Sequence, residues 1–441
     1  MKRFSFLLLA ITNAFLSFSQ PIPQVRENGA STVKVKPPVL QPASPESQGF
    51  SSERLKRIDD NINKWIADGR LNGTVALIIR NGKIIYHKAF GYDDLEKTKP
   101  VRTDNIFRIA SQTKAITSVA VMMLYEEGKF LLDDPLSRYI PEFAKQQVLD
   151  KFNPEDSSYT TVPAKSEVTI RKLLTHTSGI GYAQIGSKEA NAIFTKASIT
   201  SGIGVKKGRL LSVDMKKTGK MPLLHQPGEK FTYGLNTDVL GYLVEVISGM
   251  SLDQFFRQRI FEPLGMNDTW FYLPAAKQNR LVTLYEEVDK KLVKRTEVNQ
   301  NGIFDINYPN SSGTYFSGGA GLSSTTLDYA VFLQMLLNGG EYNGKRLLSR
   351  HTVRMMTMNQ IGDISRGANK FGLGFGITTE RGSSILPIPE GAFEWGGAFA
   401  TTYWADPKEK IIGIFYRQLW SSTFGEIANK FKVLVYSALN D

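Results

Sequence analysis

The sequence predicts an α+β fold in which both ends of the folded chain form one antiparallel sheet. Helices flank the sheet, and a largely helical region is inserted between its two halves. Strand-like runs occur early, in "TVALIIRNGKIIYHKAFG", and again near the end, in "FATTYWA" and "IIGIFYRQ". Helical patterns and loops rich in Gly and Pro lie between them. One packed sheet backed by helices is the simplest architecture for that order of elements.

The first 19 residues predict a secretory signal peptide. Lys2 and Arg3 form a basic start, residues 6–18 are mostly apolar, and the small residues Ser17 and Ser19 lie at the end of this run, at a plausible cleavage site. The apolar run is too short and too interrupted to predict a membrane-spanning helix. We therefore expect an exported protein, periplasmic or secreted. An uncleaved N-terminal anchor is the alternative.

The domain organisation follows from composition. Residues 20–48 are rich in proline and lack periodicity, which predicts an extended linker. Residues 49–441 are predicted to form a single domain. Its sheet region covers about 49–110 and 320–441, and its helical region covers about 111–319.

The folded part begins with a helix and a hairpin. Leu55, Ile58 and Ile62 recur at helical spacing, and Gly69 is the predicted C-cap. The pair Asn81-Gly82 separates two β-rich runs, which is the strongest short signal for a hairpin.

Three more helices and a second hairpin complete the pattern. Apolar residues from Ala115 through Leu124 predict a helix that ends near Gly128, and Leu327–Leu337 predicts another. Residues 406–410 separate the last two strands, and an amphipathic helix is predicted for Phe424–Leu439.

Composition excludes several classes of function. The chain has no cysteine, which rules out disulfides, thiolate metal sites and a cysteine nucleophile. Its four histidines include no close ligand pair, so we expect no metal and no cofactor. The formal charge is +12, but the basic clusters are scattered and lack interleaved aromatic residues, so no nucleic-acid partner is expected. After the signal peptide no apolar run reaches 18 residues, so no stable membrane insertion is expected.

The spacing of Ser111 and Lys114 suggests a nucleophile and a base. Residues three apart share one face of a helix, so the amine of Lys114 can reach the Ser111 hydroxyl. A lysine serves as a base when it is neutral, which burial favours. Ser31 and Lys34 have the same spacing but lie in the predicted linker, where nothing holds them together. The spacing alone also fits a serine that merely lies near a lysine.

Several ordered segments resemble one family. They are "FRIASQTKAIT", "LLTHTSGI", "PGEKFTYGLNTDVLGYLVEVISG", "FEPLGMNDTWF", "GGAGLSSTTLDYAVFLQMLLNGG", "FGLGFGI" and "WGGAFATTYWADP". Over nearly all of residues 46–420 the chain resembles the serine β-lactamase and penicillin-binding-protein superfamily, in its class C β-lactamase-related branch. The resemblance implies a β-lactamase/transpeptidase-like fold and a small-molecule ester or amide substrate.

The resemblance assigns roles to the first two motifs. Ser111 and Lys114 match the S-x-x-K element, and Tyr233 matches the tyrosine element as a general base or proton relay. The family places an asparagine two positions after that tyrosine, whereas Asn236 lies three positions after Tyr233. The resemblance implies a substrate-binding role for Asn236, at a spacing that departs from the family pattern.

The family has a third motif, a triplet on a strand that contains lysine or histidine, such as K-T-G. The resemblance places it on the first strand of the C-terminal hairpin. A K-T-G triplet at 217–219 precedes Tyr233 and lacks a strand pattern, so we assign the motif to Trp395, Gly396 and Gly397. By resemblance, the N–H groups of Ser111 and Ala398 form the oxyanion hole. The two glycines let the backbone approach a ligand closely.

These residues predict an exported serine hydrolase that acts on carboxylic esters through an acyl-enzyme. A β-lactamase, a D-alanyl-D-alanine carboxypeptidase or a D-amino-acid peptidase is the alternative within the superfamily. A catalytically silent envelope-binding protein is the alternative from another class. Trp395 has no charge and so favours neutral substrates, unless an arginine from a distant loop reaches the cleft.

Overall fold

The main sheet is built from both ends of the chain, which confirms the predicted α+β architecture. The computed structural model describes residues 39–205, 207–296, 305–420 and 423–441. The predicted signal peptide and the predicted linker up to residue 38 lie outside these residues. In the described part the sheet strands are β1 (Gln41–Pro42), β2 (Gly73–Arg80), β3 (Lys83–Gly91), β4 (Lys370–Phe371), β5 (Gly376–Ile377), β6 (Phe393–Gly397), β7 (Thr401–Asp406) and β8 (Ile411–Tyr416).

The strand order joins the two ends of the chain at the centre of the sheet. The order is β1-β3-β2-β8-β7-β6-β5-β4. Neighbouring strands are antiparallel apart from β1 and β3, which pair in parallel. Strand β8 lies beside β2 with Ile414 opposite Leu77, so the last long strand pairs with the first long one.

Helices supply the other layers. They are α1 (Ser52–Ala67), α2 (Thr113–Glu126), α3 (Ile170–Leu174), α4 (Lys188–Lys196), α5 (Leu211–Thr218), α6 (Asn236–Ser248), α7 (Leu252–Phe256), α8 (Glu262–Leu264), α9 (Thr326–Leu337), α10 (Arg350–Met356), α11 (Glu380–Ser383) and α12 (Glu426–Tyr436). A π-helical stretch, Arg257–Phe261, joins α7 to α8. Small ribbons form from Gln147–Phe152 with Tyr159–Pro163, Tyr285–Val288 with Lys291–Lys294 and Leu419–Trp420, Phe107–Arg108 with Ser323–Ser324, and Glu341–Tyr342 with Lys345–Arg346.

The alternation of side chains along β2 separates two hydrophobic layers. Val75, Leu77 and Ile79 face the larger cluster, which contains the buried residues of α2, α6 and α9. Ala76 and Ile78 face a second cluster formed with α1 and α12. Both faces of β2 are therefore buried, as expected for a strand at the centre of a sheet with helices on each side.

The local predictions for the N-terminal part of the fold are confirmed. Helix α1 begins after Ser51, whose side chain accepts a hydrogen bond from the Arg54 N–H, and Gly69 follows its end with φ 71°. Asn81 and Gly82 have φ 54° and 73°, the positive values that a two-residue hairpin turn requires.

The folded domain begins earlier than the sequence predicted. Gln41 and Pro42, assigned to the linker, form β1 and pair with Lys83 and Ile84 of β3. A proline is accepted there because β1 is an edge strand, where the missing N–H breaks no internal ladder. Composition alone could not reveal this contact, which is made with residues about 40 positions later.

The described residues form one compact unit. None of their single helices has the length and apolar composition to cross a membrane. The bent pair Asn236–Ser248 and Leu252–Leu264, with an angle of 82° between its parts, meets those criteria by length and composition only.

Candidate active site

The predicted nucleophile lies in a strained turn at the start of α2. Ser111 is in the 3-10 turn Ala110–Gln112, and α2 begins at Thr113. Ala110 has φ 42°, a left-handed value that is uncommon for a residue with a side chain. Such local strain persists only where the surroundings impose it, and it concentrates at functional sites.

Lys114 lies one turn after Ser111 and is almost fully buried, at 2% exposure. Its Nζ lies 3.3 Å from Ser111 Oγ, 3.0 Å from the Tyr182 hydroxyl and 2.7 Å from the Gly319 carbonyl oxygen. The structure therefore brings Ser111 and Lys114 together as the spacing predicted, and three oxygens accept the hydrogen bonds of the amine.

The charge of Lys114 differs from the sequence expectation. Burial by itself lowers the pKa of the amine, but the oxygens of Tyr182, Tyr233 and Asp238 outweigh burial and hold that pKa above its usual value. At neutral pH Lys114 is therefore an ammonium ion that donates its hydrogen bonds. The sequence reasoning considered burial and assigned Tyr233 to the site, but it missed Tyr182 and Asp238, because these residues are distant from Lys114 in the chain.

Tyr233 lies beside this ammonium ion. Its ring centroid is 4.7 Å from Lys114 Nζ, within the range of a cation–π contact. Its hydroxyl oxygen accepts a hydrogen bond from the Trp395 indole Nε1 at 3.3 Å. The second and third predicted motifs thus meet at this hydroxyl.

Tyr182 is a site residue that the sequence reasoning missed. It is buried, and its hydroxyl accepts the hydrogen bond from Lys114. Burial raises the pKa of Tyr182, so this side chain stays a neutral phenol. Its only signal in the sequence is its position six residues after His176, and no spacing rule connects it to Lys114.

Asn236 does not line the cavity, and its predicted role as a substrate contact is corrected. Its side chain is fully buried at the start of α6, with Nδ2 2.9 Å from His176 Nδ1 and with Oδ1 accepting a hydrogen bond from Ser178. Burial, followed by the nearby charges of Lys114 and Arg366, lowers the pKa of His176 well below its usual value. His176 is therefore neutral, and its contact with Asn236 connects the loop after α3 to the start of α6.

The third motif forms β6 beside the nucleophile turn. A Cβ on Gly397 would lie 2.3 Å from the Ile109 carbonyl oxygen, so only glycine lets the strand approach Ser111 this closely. Ala398 follows in the turn between β6 and β7, and its N–H makes no hydrogen bond within the described residues. The K-T-G triplet at 217–219 instead lies at the C-terminal end of α5.

The site opens into a cavity of about 610 Å³ whose walls are mostly apolar and aromatic. Ser111, Tyr233, Trp395, Gly396 and Ala398 line it, together with Tyr182, Ile185, Ile203 and Trp420. A second cavity of about 830 Å³ shares the lining residues Tyr182, Ile185 and Tyr233.

Three charged side chains also reach the first cavity. Lys432 and Glu394 form an ion pair with each other, and Arg366 lines the same wall. The arginine comes from the loop between α10 and β4. The described residues include no group of three or more His, Cys, Asp or Glu side chains arranged to hold a metal ion.

Comparison with known proteins finds a matching family model and several similar proteins. The family model for Beta-lactamase matches residues 58–436. Esterase EstB from Burkholderia gladioli is 28% identical over 368 residues, which cover 79% of this chain and 86% of EstB. A putative D-alanyl-D-alanine carboxypeptidase from Escherichia coli O157:H7 is 32% identical over 403 residues, which cover 83% of each chain.

Solved structures include a similar hydrolase. The structure of EstCE1, described as a hydrolase with promiscuous acyltransferase activity, superposes with a TM-score of 0.73 at 26% identity. The superposition covers 87% of this chain and 99% of EstCE1. The similarity therefore extends over nearly the whole catalytic fold of that protein.

Proposed function

The chain belongs to the Beta-lactamase family and is a serine hydrolase, and from this premise we propose that it hydrolyses carboxylic esters through an acyl-enzyme on Ser111. The observation that supports the proposal best is the 3.3 Å contact between Lys114 Nζ and Ser111 Oγ at the edge of a largely apolar cavity. An ester with an apolar group fits such walls, and esterases are among the similar proteins.

In the proposed reaction Tyr233, as a phenolate, accepts the proton of Ser111 Oγ while that oxygen attacks the ester carbonyl carbon. The Lys114 ammonium and the Trp395 N–H stabilise the negative charge on the tyrosine oxygen. The backbone N–H groups of Ser111 and Ala398 stabilise the oxyanion.

The intermediate then collapses and the carbon–oxygen bond to the alcohol breaks. The departing alkoxide takes the proton from Tyr233 and leaves as an alcohol. A water molecule next gives a proton to Tyr233 and attacks the acyl carbon. Ser111 leaves as an alkoxide and regains its proton from Tyr233, which releases the carboxylic acid.

A second candidate is amide hydrolysis of β-lactams or D-alanyl peptides. Arg366 favours it, because a cation in the cavity wall can bind the carboxylate that such substrates contain. The family relationship to a putative D-alanyl-D-alanine carboxypeptidase points the same way. The sequence argument for neutral substrates holds unless an arginine from a distant loop reaches the cleft, and Arg366 is such an arginine.

The test compares kcat/KM for 4-nitrophenyl butyrate, a chromogenic cephalosporin and a D-alanyl-D-alanine peptide, with Ser111→Ala as the blank. The proposal expects the highest value for the ester and no turnover by Ser111→Ala. A cephalosporin or peptide value above that of the ester would make the second candidate the function.

We also propose that the protein is exported. Residues 1–19 support this proposal through their basic start and their apolar run. Intact-mass analysis of protein from the native cell envelope should show a chain that begins near residue 20. A chain that keeps Met1 on a membrane-bound form would refute it.

A further inference from the structure

The wall of the active-site cavity contains a positively charged group that the proposed reaction does not use. Arg366 is half-buried there, and three aromatic rings surround its guanidinium group. The guanidinium carbon lies 5.0 Å from the Trp395 ring centroid, 5.4 Å from that of Phe371 and 5.6 Å from that of Phe231. These rings hold the group in place through cation–π contacts.

Most of the hydrogen-bonding capacity of Arg366 is unused. A guanidinium has five N–H donors. Within the described residues one hydrogen bond forms, from Nη1 to the Lys370 carbonyl oxygen at 3.2 Å, and no carboxylate lies within salt-bridge distance. Glu394, the acidic residue of this wall, pairs with Lys432 instead. The cavity therefore presents an arginine that forms no salt bridge within the described residues, although the charge of Glu394 lies close enough to attract it.

A partly buried charge without a salt bridge is unfavourable, and a carboxylate can form one with it. Burial lowers the pKa of Arg366 by more than the nearby Glu394 and Tyr233 raise it, which reflects the loss of hydration around its charge. An arginine nevertheless stays charged at neutral pH. A carboxylate accepts two parallel hydrogen bonds from the guanidinium edge, in a geometry that a neutral group does not match.

The position of Arg366 indicates which part of the substrate bears the carboxylate. Trp395 contacts both Tyr233, at 5.5 Å between ring centroids, and Arg366. Tyr233 is the group that gives its proton to the departing alcohol in the proposed reaction. The alcohol part of the ester therefore lies next to Tyr233. Trp395 and Arg366 line the cavity on that same side of the site.

We propose that Arg366 binds a carboxylate on the alcohol part of the substrate, so that the preferred substrates are esters of hydroxycarboxylic acids. This inference rests on the proposed ester hydrolysis at Ser111. It makes Arg366 a specificity-determining residue, which holds the leaving group while Ser111 attacks the acyl carbon.

The test uses two acetyl esters of nearly the same shape, 4-acetoxybenzoate with a carboxylate and 4-acetoxybenzamide without one. Wild-type protein should hydrolyse the carboxylate ester with the higher kcat/KM. Arg366→Gln should lower the ratio of the two values by about 10-fold or more, mainly through KM, and Arg366→Lys should give an intermediate ratio. Arg381→Gln, which changes an exposed arginine of α11, should leave the ratio unchanged.

A purely structural role for Arg366 would lower both values equally and leave their ratio at that of wild type, which would overturn the inference. Hydrolysis of neither ester would refute the proposed function. If neither ester is hydrolysed, the binding of 4-hydroxybenzoate and of 4-hydroxybenzamide is measured by calorimetry. Tighter binding of the carboxylate by wild type, lost in Arg366→Gln, would support the anion site, and equal binding would overturn it.

Discussion

The indole Nε1 of Trp395 lies 3.3 Å from the hydroxyl oxygen of Tyr233, although 162 residues separate them in the sequence. An N–H that points at this oxygen stabilises negative charge on it. Trp395, the first residue of the third motif, therefore stabilises negative charge on the tyrosine that we propose to carry the proton. It does so although its own side chain is uncharged.

Trp395→Phe tests this contact, because it keeps an aromatic ring and removes the N–H donor. We expect kcat/KM to fall by about 10-fold, the scale of one hydrogen bond to a charged group. Wild-type kcat/KM in the variant would show that the indole N–H plays no part in proton transfer.

Lys114→Ala should lower kcat by about 100-fold or more with 4-nitrophenyl butyrate, because the ammonium ion no longer stabilises the tyrosine oxygen or orients Ser111. Lys129→Ala, at an exposed position after α2, is the control and should retain wild-type kcat. Near-normal kcat in Lys114→Ala would contradict the proposed role. Circular dichroism should accompany both variants, since Lys114 is buried.

Replacing Tyr233 and replacing Tyr182 should lower kcat by different amounts. Tyr233→Phe removes the proposed proton carrier, and we expect kcat to fall by about 100-fold or more. Tyr182→Phe removes one acceptor of the Lys114 hydrogen bonds while Gly319 and Ser111 remain, so its loss in kcat should be smaller. A larger loss in Tyr182→Phe than in Tyr233→Phe would reverse the two assignments.

Gly397→Ala should reduce kcat strongly, because a Cβ at 2.3 Å from the Ile109 carbonyl oxygen pushes β6 away from the nucleophile turn. Loss of one oxyanion donor typically lowers kcat by about 10²–10³-fold. Gly425→Ala is the matched control, since no atom lies within 4 Å of its Cβ position. Wild-type kcat in Gly397→Ala would show that β6 does not need this close contact.

The stability of the protein should depend on pH through His176. Burial is the main cause that lowers its pKa in the folded state, so below about pH 6.5 the unfolded chain binds a proton that the folded chain does not. The contribution of His176 to the stability of the folded state is therefore present above about pH 6.5 and is lost as the pH falls. One such group changes the free energy of unfolding by at most about 1.4 kcal/mol per pH unit.

Urea unfolding at pH 7.5 and pH 5.5 measures this effect. The difference in free energy of unfolding between the two pH values should be smaller in His176→Gln than in wild type. His351→Gln, which changes an exposed histidine of α10, should keep the wild-type difference. Equal differences in wild type and His176→Gln would exclude His176 as the titrating group.

The sequence by itself determined the elements whose cause is local. Helix α1, the Asn81-Gly82 hairpin and the pairing of Ser111 with Lys114 depend on residues a few positions apart, whose periodicity or backbone preference is visible in the sequence. The ordered motifs then supported the family and the α+β fold.

The tertiary structure alone decided the contacts between distant segments. It paired Gln41 with Lys83, buried Asn236 against His176, and brought Tyr182 and the Gly319 carbonyl to Lys114. It also placed Arg366 in the cavity wall beside Trp395. The charge of a buried group and the partners of a cavity residue depend on which atoms surround it in space, and spacing along the chain does not specify them.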